Sequence, residues 1–488
     1  MPDKPNILFI MTDQQRYDCV GANGNAPIRT PHLDALAGDS ANFRNAFAQA
    51  PVCVPSRVTT FTGRYPHSHR NRVNNTPLKS DEVLLPQYLR ESGYRTAVVG
   101  KVHLYPPTPE RVEEAGFDTV FLHDGLPKND PYSAYVEWRK ANDPNGQVHY
   151  KALAENLSAG DNPYRSALPE EFTETAWVGM QTRKTLCELA SQGRPFFLFS
   201  SFFKPHEPFE VPAPFDSMYN DVEIPLPRRV GEEEIRLLPK PLQILTLRDG
   251  PNRDAYPQDL QWIYRSYYGT VTHIDREVGR ILETLEETGL AGETIVLFMS
   301  DHGDQLCEHG IKGKNAFFEA SVHVPLMLRF PKVVRAGNYE ELVEATDILP
   351  TLFGFLGMEE PYHCQGRSFA PLISDIGGPY QERDAVFCEN IIPEVITEGN
   401  WKFPFEKGKG VGGILHPDAK MVRTRKWKLN YYPGHGGELY DLEKDPTENR
   451  NLFHESECAG IVQELEKKLL DWMIATDETE QIAEKWLF

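Results

Sequence analysis

Apolar residues along the chain gather in short unbroken runs. NILFIM (6–11), RTAVVG (95–100), PFFLFSS (195–201), TIVLFMSD (294–301) and VPLMLRF (324–330) are rich in Val, Ile, Leu and Phe and do not alternate with polar residues. Runs of this kind predict strands buried on both faces. Between them lie stretches with helical spacing. The clearest is 261–289, where Val271, Ile274, Val278, Ile281, Leu282 and Leu285 share one face and Gly289 supplies the stop. Thr30-Pro31 predicts a helix through HLDALAGDS, with Thr as its cap and Pro in its first turn. Strands alternating with helices predict an α/β domain on a mostly parallel sheet. Near SDIGGPY the pattern changes. AKMVRTRKWKLNYYP (419–433) follows, its second half reading as an exposed antiparallel strand, and then an amphipathic helix over 460–473. The expected organisation is a large α/β domain over 1–375 and a smaller α+β subdomain over 376–488 with a short antiparallel sheet.

Composition narrows the partners. With 488 residues the chain exceeds what one core usually supports, and 40% hydrophobic with 25% charged residues is ordinary for a soluble globular protein. A net charge of −20 argues against nucleic acid and against an anionic membrane surface. It also means that an anionic substrate has to be captured by a local positive pocket. MPDKPNILFIMTDQQ lacks the pattern of a secretory signal, and no apolar run is long enough to span a bilayer. The seven cysteines (19, 53, 187, 307, 364, 388 and 458) are scattered without a CxxC pair. No disulfide framework is expected, and a reducing cytoplasm is.

Ligands of open α/β sheets sit beyond the carboxyl ends of the strands. The strand near residue 6 is followed by Asp13 and Gln14, and the second by Lys101 and His103. The third is followed by Lys204, His206 and Glu207, and the fourth by Asp301, His302 and Asp304. One such turn is commonly a helix cap; four at corresponding ends point to a site. Asp13, Gln14, Asp301 and His302 supply oxygens and one imidazole, a set suited to a divalent cation: Ca²⁺ or Mg²⁺ by the oxygens, Mn²⁺ by the histidine. Arg57, Lys101, His103, His206 and Lys314 supply positive charge and donors. A cation flanked by fixed donors suits a transferring anionic tetrahedral group, such as sulfate, phosphate or phosphonate. Cys53 lies upstream of Arg57 in CVPSR. A cysteine-phosphatase loop needs Cys-x₅-Arg, and Arg57 stands two positions too early, with Thr59 at the required place; a zinc thiolate lacks a neighbouring partner.

The stretch CVPSRVTTFTGR (53–64) resembles the Cys-x-Pro-Ser-Arg…Thr-Gly-Arg signature of the type I sulfatases, in the alkaline phosphatase superfamily. NILFIMTDQQ, GYRTAVVGKVHL, FFKPHEPF, SDHGDQLCEHGIKGKNAFFEASVHVPL and ELYDLEKDPTENRNL resemble the flanking motifs in order. The resemblance covers nearly the whole chain. It implies a large sheet sandwiched by helices and a sulfuric ester hydrolase acting on a small-molecule or saccharide sulfate. It also implies that a formylglycine-generating enzyme converts Cys53 to Cα-formylglycine, whose geminal diol is the nucleophile, beside one divalent ion (Ca²⁺ or Mn²⁺, with Mg²⁺ as third candidate) on Asp13, Gln14, Cys53, Asp301 and His302. By the same resemblance Arg57 orients the diol, Lys101 and Lys314 hold sulfuryl oxygens, Lys314 or His206 protonates the leaving alcohol, and His103 takes a proton from the second hydroxyl. Lys314 is selected over Lys312, and Asn75 is a further neighbour of the site. Glu207 and Asp304 read as loop or capping residues, and His67, His69, His309 and Asn315 as structural or supporting ones. Asp-Gln and Asp-His at 13–14 and 301–302 replace the commoner Asp-Asp and Asp-Asn. These forms also occur in phosphonate monoester and phosphodiester hydrolases of the superfamily, the alternative activity. The alcohol half (aryl, sugar or choline-like) is expected to meet loops 104–170 and 207–260 and the C-terminal subdomain. The terminal EKWLF offers a contact for a homo-oligomer, dimer or tetramer.

Overall fold

The computed structural model describes residues 4–125, 130–143, 162–249, 258–392 and 418–477. The terminal EKWLF and parts of both substrate-side loops lie outside these residues. A large sheet is built from β1 (Asn6–Asp13), β2 (Ala41–Phe47), β3 (Arg95–Gly100), β4 (Thr119–Leu122), β5 (Phe196–Pro205), β6 (Thr294–Ser300), β7 (Leu326–Arg329) and β8 (Gly337–Glu344). Its order is β4-β3-β5-β1-β6-β7-β2-β8. Only β7 runs against its neighbours; the other pairings are parallel. Five apolar runs announced five of these strands. Three were not announced: β2, β4 and β8. ANFRNAF and GNYEELVE are interrupted by polar residues that the outer part of a sheet tolerates, and TVFL is only four residues long.

The unbroken apolar character of β1 has a direct cause. Ile7, Phe9 and Met11 point into one core with Val58, Phe61 and Leu349. Leu8 and Ile10 point into the opposite core with Trp177, Ile274, Val278, Ile281 and Leu285. The strand is therefore buried on both faces, between the helices Cys53–Thr62 and Ile348–Leu356 on one side and Glu174–Ser191 and Gln258–Glu287 on the other. Gly289, in the left-handed region at φ +73°, follows the last of these helices.

A second, antiparallel sheet follows, β9 (Val386–Ile391), β10 (Asp418–Arg423), β11 (Trp427–Tyr432) and β12 (Gly436–Asp441), in the order β12-β11-β10-β9. The second half of 419–433 is not exposed, as expected from its polar residues, but lies between β10 and β12. Lys428 is fully buried there, bridging Glu319 at 3.0 Å and Glu448 at 2.8 Å. Asn430 donates to Glu438 at 3.0 Å. One face of this sheet packs against Phe47, Phe317, Phe318 and Leu342 of the large unit; the other is covered by the helix Ala459–Ala475 through Val462, Leu465, Leu469 and Trp472. No helix among the described residues is long and apolar enough to cross a membrane.

Candidate active site

Because β1, β3, β5 and β6 are adjacent and parallel, their carboxyl ends share one edge. The β1–β6 ladder continues past the end of β6, with Asp301 N–H donating to the Thr12 carbonyl at 3.1 Å. The β3 end turns sharply at Gly100 (φ +96°), where a Cβ would collide with the Ser201 carbonyl oxygen. Only glycine lets Lys101 be delivered there. From β2, the chain leads into the helix Cys53–Thr62, every residue of which is buried. Cys53 is its first residue, so its side chain sits at the positive end of the helix dipole. Asn74, rather than its neighbour Asn75, serves this end of the helix: its carboxamide oxygen accepts from Val54 N–H at 3.0 Å.

Around the Cys53 sulfur lie Lys314 Nζ at 2.9 Å, His302 Nε2 at 3.3 Å, Asp13 Oδ1 at 3.6 Å and Lys101 Nζ at 3.9 Å. Lys314 is thus the lysine at the sulfur, while Lys312 is exposed. Arg57 is the buried brace below. Its Nε donates to Asp301 at 2.7 Å, its Nη1 to the Lys101 carbonyl at 2.8 Å and to Ser201 Oγ at 2.9 Å, and its Nη2 stands 3.6 Å from Asp13. It grips the two acids, and its Nη2 has no hydrogen-bond partner. Lys101 also pairs with Asp13.

These charges decide protonation. Burial alone would raise the Asp13 carboxyl, but Lys101, Lys314, His206 and Arg57 hold it well below the usual range. Burial and Asp13 both oppose ionisation of the Cys53 thiol; Lys101, Lys314 and His302 overcome them and bring it well below its ordinary value. Burial, then the Lys101 charge, push His103 down to about 3, so it is neutral at pH 7. Its Nδ1 is buried without a partner. His206 is also lowered, by burial and then Lys314, and its Nδ1 meets the Glu207 carbonyl at 2.7 Å. Both histidines therefore feel the lysines of the cluster.

Ligand atoms of Asp13, Cys53, Asp301 and His302 lie within 4.8 Å of one another, all buried. Gln14 joins them from a left-handed backbone (φ +71°), held by its N–H on Asp301 at 3.0 Å and by Tyr267 O–H on its carbonyl at 2.6 Å. Its side-chain Oε1 is buried and has no partner. Two carboxylates, an imidazole and an orphaned amide oxygen are a donor set for one divalent cation, and the unpartnered Gln14 oxygen is a buried acceptor that such an ion would satisfy. The residues fit such an ion.

Two residues gained significance in the fold. Glu207 Oε2 accepts from Gln14 Nε2 at 2.7 Å, and Asp304 Oδ2 accepts from the same nitrogen. Neither is merely a loop or capping residue, although Asp304 Oδ1 does cap Leu306 N–H at 2.7 Å. Their place in the strand-end clusters was the available signal. His69 and His67 are structural, meeting Thr59 at 3.0 Å and Glu389 at 2.7 Å. His309 stacks on Phe318, with ring centroids 3.7 Å apart. Cys307 adopts φ +71° in a buried cluster, and nothing in its surroundings explains why cysteine stands there. Among the described residues, Glu170, His273 and Glu277 also bring ligand atoms together. There Arg280 already holds Glu277 at 2.5 Å and Arg276 lies against Glu170, so the carboxylates have their cations.

The chain matches the family description Sulfatase over residues 5–358. It is 31% identical to an arylsulfatase of Clostridium perfringens, over 97% of this chain and 95% of that protein. It is 27% identical to the multifunctional alkaline phosphatase superfamily protein PehA of Trinickia caryophylli, over 97% and 96%. The fold matches that of the phosphonate monoester hydrolase of Agrobacterium radiobacter with a TM-score of 0.82 at 27% identity, covering 98% of this chain and 97% of that one.

Proposed function

The chain belongs to the sulfatase family, and on that premise we propose that it hydrolyses a sulfate monoester, an aryl sulfate in the first instance, in the pocket around position 53. The observation that carries the reading is the setting of Cys53. It lies at a helix N-terminus, 2.9 Å from the Lys314 ammonium, facing two buried acids and an imidazole. The reading includes conversion of Cys53 to Cα-formylglycine by a generating enzyme, and one divalent cation, Ca²⁺ or Mn²⁺ before Mg²⁺, that would be held by Asp13, Gln14, residue 53, Asp301 and His302. The hydrated aldehyde supplies one hydroxyl to attack sulfur and a second whose deprotonation releases sulfate, and the cation supplies the charge that favours the ionised hydroxyl.

The chain's own residues do the rest. Lys314 and Lys101 neutralise the anionic oxygens of the ester and of the developing transition state. Arg57 keeps Asp301 and Asp13 in fixed positions. His103, neutral at pH 7 with an unpartnered Nδ1, accepts the proton whose loss releases sulfate. The departing alcohol takes its proton from Lys314 or from His206; a neutral His206 with its Nδ1 proton on the Glu207 carbonyl has a bare Nε2, so in that state the Lys314 ammonium is the donor. Seven free cysteines support a reducing, cytoplasmic location within the same proposal.

Turnover of an aryl sulfate against an aryl phosphonate monoester tests the reading. Faster hydrolysis of the sulfate is expected. Hydrolysis of the phosphonate alone would favour the second reading, a formylglycine-dependent phosphonate monoester or phosphodiester hydrolase, which the Gln14 and His302 variants and the fold likeness to such an enzyme support.

A further inference from the structure

The Gln14 carboxamide is held in one orientation by chemistry rather than by shape. An ionised carboxylate can only accept hydrogen bonds, so the end of the amide that faces Glu207 Oε2 and Asp304 Oδ2 has to be the NH₂ group. Both of its protons are then committed. The oxygen is left on the opposite side, buried and unpartnered. The backbone allows no escape, since Gln14 N–H is fixed on Asp301 and its carbonyl on Tyr267. A neutral amide is a weaker donor than the carboxylate that stands at this place in many sulfatases. Two carboxylates behind the nitrogen polarise it and strengthen the oxygen, as a carboxylate does behind a metal-bound histidine.

We propose that Glu207 and Asp304 are positioning residues that turn Gln14 into an oriented oxygen ligand for the divalent cation, and that Glu207 in the same act ties the His206 turn to the metal side of the pocket. The second half rests on one residue serving two neighbours: Glu207 Oε2 is 2.7 Å from Gln14 Nε2 and 3.6 Å from His206 Nδ1. The turn is itself closed by Lys204 Nζ, which donates to the Pro208 carbonyl and, at 3.4 Å, to the His206 carbonyl. The inference rests on the cation site of the functional reading, but not on which ester is cleaved.

Its test is a calorimetric titration of Mn²⁺ into the metal-free full-length protein. Glu207→Ala and Asp304→Leu should each weaken binding about 10–100-fold. Glu207→Gln and Asp304→Asn, which keep an acceptor oxygen, should lose less. In a Gln14→Ala background Glu207→Ala should cost nothing further, because its partner is gone. Unchanged Mn²⁺ affinity in Glu207→Ala, or an equal loss in both backgrounds, overturns the proposal. Glu207 lies in a half-buried turn and carries the test alone if the Asp304 variants fail to fold. Wild-type protein that binds Mn²⁺ without cleaving a sulfate ester would contradict the functional reading and leave this inference intact.

Discussion

At the scale of single residues, the pocket separates charge that binds from charge that braces. Lys314 reaches the Cys53 sulfur directly, whereas Arg57 pairs with both acids. Lys314→Met should therefore lower kcat on an aryl sulfate about 10²–10³-fold with little change in unfolding midpoint. Lys312→Ala, at an exposed position, should leave kcat unchanged. Arg57→Ala should act differently, because removing one partner of a buried ion pair costs about 3–5 kcal/mol of stability; denaturant titration would register the loss before kinetics does. Most of the pocket was legible in sequence, because Asp13, Lys101, Asp301 and His302 all follow apolar runs. The pairing of Gln14 with Glu207 and Asp304 was not, since it joins positions 193 and 290 residues apart that only the sheet order makes neighbours. Neither was Asn74, whose role follows from which of two adjacent amides meets a helix end.

At the scale of elements, strand ends do the positioning, and two features make that testable. Gly100→Ala forces a side chain into the left-handed region and against the Ser201 carbonyl. It should cost about 2 kcal/mol or more and depress activity by displacing Lys101, as read by unfolding midpoint and kcat/KM together. The β4 end is anchored by the buried His123, 2.9 Å from both Ser133 Oγ and Glu174 Oε2. Burial opposes its charge, but Asp130 and Glu174 raise it to about 9 from an ordinary value near 6.5. A histidine held protonated in the fold stabilises fully below its unfolded value. That stabilisation, about 3 kcal/mol, should fade as pH rises from 6.5 through 9. Urea midpoints across that window should fall for the wild type and run flatter for His123→Leu. Strands with uninterrupted apolar runs were readable for the reason β1 shows, burial on both faces. β2 was not, because its Asn42 is a polar residue whose amide NH₂ donates to Asn23 and Asn338, contacts that the sequence does not display.

At the scale of the whole molecule, the change of pattern near residue 375 marks a change of sheet rather than of core. Phe47, Phe317 and Leu342 of the large unit pack with Val386, Met421 and Tyr440 of the small one. Trp472 of the last helix meets Tyr65 edge-on at 5.0 Å and stacks on Phe387 at 4.8 Å. Shared packing of this kind predicts one cooperative transition, with tryptophan fluorescence and far-UV signal coincident in denaturant; two separated transitions would show independent units. Trp472→Ala should lower that single transition by about 3–5 kcal/mol. The shared core also keeps Lys428 buried against Glu319 and Glu448, which explains why a lysine-bearing strand read as exposed lies inside. What the sheets jointly support is the Cys53 side chain at the edge where the parallel strands end, which the functional reading takes to be converted. The mass of the tryptic peptide 45–57, from protein co-produced with a formylglycine-generating enzyme, tests this most directly. A peptide carrying an aldehyde in place of the Cys53 thiol, in protein that cleaves an aryl sulfate, is the predicted result. An intact cysteine in fully active protein would contradict it.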